Sequence, residues 1–407
     1  MAGKRKNTFR SIIGKLHLWL GLASGLVVFI VAITGCIYVF QHEIQELTQP
    51  WRFVTPQEVS LAPSELLDIA RTELPDKQLQ RLYVEDPGHA AYALFYGEDG
   101  HYYSVFINQY TGDVIKVKNL RRDFFTIILY LHISLLLPGD IGTDIISYAS
   151  LIFLFMMISG IIMWWPKSIA ARKQRFSIKW TARWRRVNYD LHNVLGFYMS
   201  WVAIFIVITG LVWAFKWMET SVYWVASGGE SLPEYARPAS DTRASATSDP
   251  IDKAWYKVRQ EAGPDMAMAI FVPQRPADPI TVMANPGMET YYQLSYYYFD
   301  RNTLEELPVN HLRGKYSDDA SIAEKLNRMN YDIHTGAILG LPGKLMAFFA
   351  SLLAASLPIT GFMLWLGRRK KAKKTLPENR RGRIRTMRQV KTHSEKVKRT
   401  ELLEAEA

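Results

Sequence analysis

A single cysteine, Cys36, in 407 residues excludes an intrachain disulfide and any zinc or iron–sulfur centre built on several thiolates. Metal chemistry must then fall to histidine and carboxylate. Acidic side chains are scarce in three stretches. Residues 1–15, 166–191 and 367–407 hold 28 of the 49 Lys and Arg but only six Asp or Glu, a net +22, whereas 41–144 and 216–344 together carry −11. The overall +11 is therefore topological, with both termini and the 166–191 loop expected on the cytoplasmic side. Anionic membrane lipid is the partner such segments imply, and no nucleic acid is expected.

Four apolar runs are long enough to cross a bilayer: Leu16 to Phe40, Ile145 to Trp165, His192 to Phe215 and Leu345 to Leu366. The mean hydropathy is nonetheless near zero. The rest of the chain must be polar and domain-like, which excludes both a soluble enzyme and a purely embedded channel. The first run is too long for a cleaved signal peptide and is read as an anchor. The expected layout is a cytoplasmic arm (1–15), a first span (16–40), an outer domain (41–123), an interfacial or re-entrant segment (124–144) and a second span (145–165). A basic loop (166–191) leads to a third span (192–215), a second outer domain (216–328), a second interfacial or re-entrant segment (329–344), a fourth span (345–366) and a basic tail (367–407). The fold class is a membrane α-helical bundle with α+β extracytoplasmic domains.

An internal repeat carries the functional signal. Lys15 to Phe40 lies over Asp190 to Phe215 at a constant offset of 175, matching His17 with His192, Gly21 with Gly196 and Thr34-Gly35 with Thr209-Gly210. More loosely, His132, Pro138-Gly139, Ser159-Gly160 and Trp164 match His334, Pro342-Gly343, Thr360-Gly361 and Trp365. The halves then read as two parallel two-helix repeats, each with an inserted domain. Their pseudo-twofold along the membrane normal brings His17 near His192 on the cytoplasmic side and His132 near His334 on the outer side. Ionisable groups at membrane depth usually mark a site. Two facing imidazoles suit the axial positions of a haem iron, so the four histidines are candidate ligands of two b-type haems. Gly21 and Gly196, four residues beyond a histidine, would let a macrocycle approach the helix.

Arg186, with Arg185, is a candidate partner of haem propionates, and positive-inside anchoring explains both equally well. Trp19, Trp164, Trp165, Trp213 and Trp365 fit an aromatic belt or haem-lining positions. His42 has no symmetric counterpart, and His89, His101, His311 and His393 read as surface or structural residues. The Gly-rich HTGAILGLPG after Ile333 fits a flat ligand or a tight entry turn equally.

Each outer segment reads as a helix followed by antiparallel strands. SELLDIARTEL precedes RLYVED, YALFYG and YYSVFINQ with the turn YTGDVI; DKAWYKVRQEA precedes AIFVP, ITVMAN and YQLSYYYFD with the turn DRNTLEEL. Tyr291, Tyr292, Tyr296, Tyr297 and Tyr298 crowd the second set, mostly as packing residues.

These helix pairs with HxxxG and TG, the LPG-preceded helices and the outer modules ending in FINQYTGDVI and YYFDRNTLEEL resemble the PepSY-associated transmembrane helix family over roughly residues 10 to 368. That family includes iron-regulated membrane proteins of the FoxB and PiuB types. The resemblance implies a di-haem protein of the bacterial inner membrane with two periplasmic PepSY-like domains, reducing siderophore-bound ferric iron. A cytoplasmic reductant or quinol would be its electron donor. His17, His192, His132 and His334 match the family's membrane histidines. The second turn departs from the family pattern, with Leu304 after Thr303 in place of glycine. The rival reading is a PepSY protein that binds peptide or restrains a protease, without a redox cofactor.

Overall fold

The computed structural model describes residues 8–374 except 167, 169–171, 173, 174 and 246. The first residues of the basic arm and most of the basic tail lie outside the described residues. The chain divides into two units, residues 1–165 with 195–358, and residues 166–194 with 359–407.

Four helices are long and apolar enough to span a membrane: α1 (Thr8–Tyr38), α5 (Ile141–Trp164), α6 (Trp184–Ala214) and α11 (Gly340–Lys374). Each begins before the apolar run expected for it, and α11 also ends well beyond it. The reason is that polar residues at a bilayer boundary still satisfy their backbone by continuing the helix, so hydropathy marks the hydrocarbon core and not the helix ends. In the larger unit these helices pack through small and flexible side chains, with Met157, Met199, Ala203 and Ala354 buried among Ala32, Leu353 and Leu357. Pro342 falls in the first turn of α11, where its missing N–H costs nothing.

Short helices flank the spans. α2 (Gln41–Thr48) and α7 (Lys216–Ser227) follow α1 and α6. α4 (Phe124–Ser134) precedes α5 and occupies the segment expected to be interfacial. Its N-cap is Asp123, whose carboxylate accepts from the Thr126 N–H at 3.0 Å and the Thr126 hydroxyl at 2.9 Å. Before α11 come α9 (Ile322–Arg328), α10 (Asn330–Thr335) and a 3-10 turn, Ala337–Leu339. Here the Gly-rich stretch is a tight entry turn. Gly336 has φ +79°, and a Cβ there would strike the Gly343 backbone at 2.2 Å.

The polar segments build a sheet. α3 (Pro63–Glu73) precedes β1 (Gln78–Val84), β2 (Ala91–Tyr96), β3 (Tyr102–Ile107) and β4 (Val114–Asn119). α8 (Pro250–Ala262) precedes β5 (Ala267–Phe271), β6 (Ile280–Asn285) and β7 (Ser295–Phe299). In place of two separate small sheets, all seven strands form one, in the order β4-β3-β2-β1-β5-β6-β7. Its seam is the antiparallel pairing of Arg81–Val84 in β1 with Phe271–Met268 in β5. Joining the sheets there removes two bare edges, each of which would otherwise present unpaired backbone groups. One face carries the core: Leu66, Leu67 and Ala70 of α3 and Trp255 and Val258 of α8 pack on Leu82, Phe95, Val105, Ile270, Val282 and Phe299. Ser64 and Asp252 tie the two helices, the hydroxyl donating to the carboxylate at 2.5 Å.

The two turns that end these strand sets have the same geometry. Asn108 N–H donates to Asp113 O and Gly112 N–H to Asn108 O, each at 2.9 Å; Asp300 N–H donates to Glu305 O and Leu304 N–H to Asp300 O at the same distance. Gly112 has φ +80° and Leu304 φ +61°, so the leucine takes the left-handed conformation that glycine takes in the first turn.

Candidate functional site

Each of the four sequence-selected histidines sits on a Ser/Thr-Gly pair of another helix. The hydroxyl binds Nδ1 and the glycine leaves room for the ring. His17 Nδ1 lies 2.8 Å from Ser159 Oγ, and its Cε1 lies 3.5 Å from where a Gly160 Cβ would be. His132 pairs with Thr34 Oγ1 at 3.0 Å and with Gly35 at 3.3 Å. In the smaller unit, His192 pairs with Thr360 Oγ1 at 2.9 Å and Gly361 at 3.2 Å. His334 pairs with Thr209 Oγ1 at 3.0 Å and Gly210 at 3.3 Å. A methyl at Gly35, Gly210 or Gly361 would press on the imidazole, whereas one at Gly160 would make ordinary contact with His17.

His132 and His334 also have fixed tautomers. His132 Nδ1 is 3.0 Å from Val31 O, and His334 Nδ1 is 2.9 Å from Ile206 O. A carbonyl can only accept, so Nδ1 carries the proton and Nε2 presents its lone pair. Burial, outside the four spanning helices, holds His132 below the ordinary histidine range. Burial and then the neighbouring His132 bring His334 down to about 4, so both rings are neutral at physiological pH. The two ring centres stand 6.2 Å apart with planes at 71°. Trp213 lies against His334, ring centres 5.1 Å apart.

Two asparagines, each four residues before a histidine, reinforce the seats. Asn188 Nδ2 donates to Thr360 O at 3.0 Å and Asn330 Nδ2 to Thr209 O at 3.1 Å. The first-half positions are Ile13 and Ile128, which have no such group. Asp332, fully buried on α10, accepts the N–H groups of Tyr291 and Tyr292. Burial raises its carboxyl above the usual range, and those two donors oppose the rise.

The remaining sequence candidates lie elsewhere. A Cβ at Gly21 would meet Met156 Cε at 2.7 Å, and one at Gly196 would meet Leu357 at 3.5 Å, so these glycines face packed side chains. Arg186 Nε donates to Asp190 at 2.9 Å. Trp164 is buried, stacked on Phe197 at 3.7 Å, while Trp19, Trp165 and Trp213 are exposed. His42 stands 3.6 Å from Glu46 on α2. Among the described residues no group of three or more His, Cys, Asp or Glu side chains could hold a metal ion. Among the described histidines, His132 and His334 are brought together, with ring centres 6.2 Å apart.

No curated protein matches the chain. The profile of the PepSY-associated TM region matches residues 15–368, which takes in all four histidines and their Ser/Thr-Gly seats, and the chain belongs to that family of multi-pass membrane proteins.

Proposed function

We propose that this chain is a haem-dependent oxidoreductase of the bacterial inner membrane, holding two b-type haems and passing electrons outward to reduce siderophore-bound ferric iron. The observation that carries the reading is the outer pair. His132 and His334 stand with ring centres 6.2 Å apart, near enough that both would hold one haem iron. Their Nε2 lone pairs are the ones left to a ligand, because Nδ1 donates to a carbonyl in both. His17 and His192 have the same hydroxyl-and-glycine seat and are assigned to a second haem on the cytoplasmic side. In this reading the halves are parallel copies of a two-helix unit, and the sheet-forming segments are PepSY-like domains in the periplasm.

A haem held by these residues supplies one-electron chemistry. The chain's own part is to hold and orient. Thr34 and Thr209 help fix ring rotation, and the carbonyls of Val31 and Ile206 fix the tautomer, as outer-shell partners of ligating histidines do. Trp213 covers one side of His334. Reduction to Fe(II) weakens binding by hard oxygen ligands, which gives the outward electron a use in iron release. A cytoplasmic reductant or quinol is the donor in this scheme.

The test is the absorption spectrum and haem content of purified full-length protein. Two haems per chain are expected, with the sharp reduced bands of low-spin b-type centres. A ratio near zero after expression with adequate haem overturns the reading and leaves the anchored peptide-binding or protease-restraining alternative. A ratio near one retains a single pair. The orientation has its own check: with Cys36 replaced by alanine, a cysteine at Ser177 should resist an impermeant maleimide in intact cells. Labelling there would invert the topology and remove the periplasmic substrate.

A further inference from the structure

The loop between β6 and β7, residues 286–294, is clamped to the segment that carries His334. Three charged side chains of that segment make the clamp. Asp332 accepts the Tyr291 N–H with both oxygens, at 2.9 and 3.0 Å, and the Tyr292 N–H at 2.8 Å. Arg328, at the end of α9, donates to Tyr292 O at 2.9 Å and to Leu294 O. Lys344, in the first turns of α11 and only 5% exposed, pairs with Glu43 at 2.7 Å and reaches Glu289 of the loop at 3.8 Å. A second line of contact runs through rings: Tyr291 meets Tyr331 at 5.1 Å, Tyr331 meets Trp213 at 6.2 Å, and Trp213 meets His334 at 5.1 Å.

The helix between these anchors is too short to hold itself. α10 has six residues, and helices below about 12 residues are marginal without outside contacts. Its position, and with it the aim of the His334 ring, is set by what grips it. Asn330 grips it from the membrane side through Thr209 O, and Asp332 grips it from the sheet side. Asp332 is two residues from His334, with its carboxylate buried and filled by backbone donors from another element. His132 has no equivalent, since Tyr130 at the same spacing is exposed.

We propose that Asp332 is a positioning residue of the outer site, holding His334 in register for its ligand by locking α10 to the 286–294 loop. The spectroscopic part rests on the haem assignment above. The mechanical part does not.

Two arms of one experiment keep these apart. Hydrogen exchange on full-length protein, wild type and Asp332→Ala, reads the clamp whether or not haem is bound. Amides of 290–294 and of 330–335 should speed up together, by about 10-fold or more, since a buried charge-assisted acceptor is lost. Release of the loop with 330–335 unchanged would overturn the proposal. The second arm is the ferric low-spin resonance of haem-loaded protein, with the inner signal identified by its loss in His192→Ala. Asp332→Ala should shift the outer signal and leave the inner one unmoved, and Asp332→Asn, which keeps one acceptor oxygen, should fall between. An outer signal identical to wild type in Asp332→Ala, with both haems bound, would also overturn it. Wild type without haem would sink the haem assignment alone, and the exchange arm would still decide the clamp. Should Asp332→Ala fail to accumulate, Asp332→Asn carries both arms, with smaller shifts in the same sense.

Discussion

His132 rides an eleven-residue helix that supplies its own N-cap at Asp123, whereas His334 rides six residues gripped from both sides. The seats are alike, a threonine hydroxyl on Nδ1 with a glycine beneath the ring. The supports differ in kind. One is local and made by the helix itself; the other is borrowed from a loop of the sheet. The difference teaches that the chemistry constrains the seat, while the means of holding a helix in place is open to variation. A shared seat should give equal losses when it is damaged, and unequal supports should give unequal ones.

The largest effect is expected from removing the rings. His132→Ala and His334→Ala should each lower the haem content from two per chain to about one, measured by pyridine haemochrome against protein. Loss in one variant and retention in the other would break the equivalence of the pair. Next come the hydroxyls. Thr34→Val and Thr209→Val keep the side-chain volume but remove one of the two partners of Nδ1, leaving the carbonyl of Val31 or Ile206, and each should weaken haem retention about 10-fold, the low end for loss of an outer-shell partner. A clear inequality between the two would show that the seats are not used alike.

The paired turns offer a sharper contrast at smaller cost. Gly112→Ala places a Cβ 2.9 Å from Ile69 Cδ1 in a left-handed backbone and should destabilise by about 2 kcal/mol. Leu304→Gly relieves the same strain of about 1 to 2 kcal/mol but gives up a partly buried side chain of similar worth. Its effect should be small. Thermal unfolding in detergent measures both, and a larger loss at Leu304 would mean that its packing outweighs its strain.

The smallest effect is one of pH. Burial alone would raise the Glu43 carboxyl, yet the hydrogen bond and charge of Lys344 bring it below the usual range. Its stabilising contribution is therefore complete above the ordinary glutamate value and is withdrawn as the pH falls below it. Glu43→Gln should flatten the acid limb of the unfolding curve by less than about 1 kcal/mol, because the pair is partly screened by solvent. An unchanged acid limb would remove Glu43 from the account of the Lys344 clamp.

Much of this was written in local sequence. Four apolar runs located the spanning helices, and His17, His132, His192 and His334 stood out because they recur with Ser/Thr-Gly pairs. Which pair seats which histidine was not legible. The seat of His132 is Thr34-Gly35, about a hundred residues away, and only packing brings them together. Gly21 and Gly196 drew attention by spacing, but helix spacing cannot tell a glycine under a ring from one under Met156 or Leu357. Strand β4 was not legible beyond the turn YTGDVI, whose last two residues open it; VIKVKN has lysines at alternate positions, the pattern of an edge strand that refuses further pairing. Asp332 carried no signal, since a lone carboxylate gives no hint that the N–H groups it accepts lie some forty residues earlier.

The seam of the sheet has a consequence for biogenesis. β5 begins 183 residues after β1 ends, with two membrane crossings and the 166–191 stretch between them. At a synthesis rate of 5–20 residues per second, the first four strands must wait roughly 10–40 s for β5. During that interval the backbone of Gln78–Val84 is an open edge exposed to wrong partners. A chaperone that shields open strand edges, or slower translation after α6, would act on this one interval of assembly.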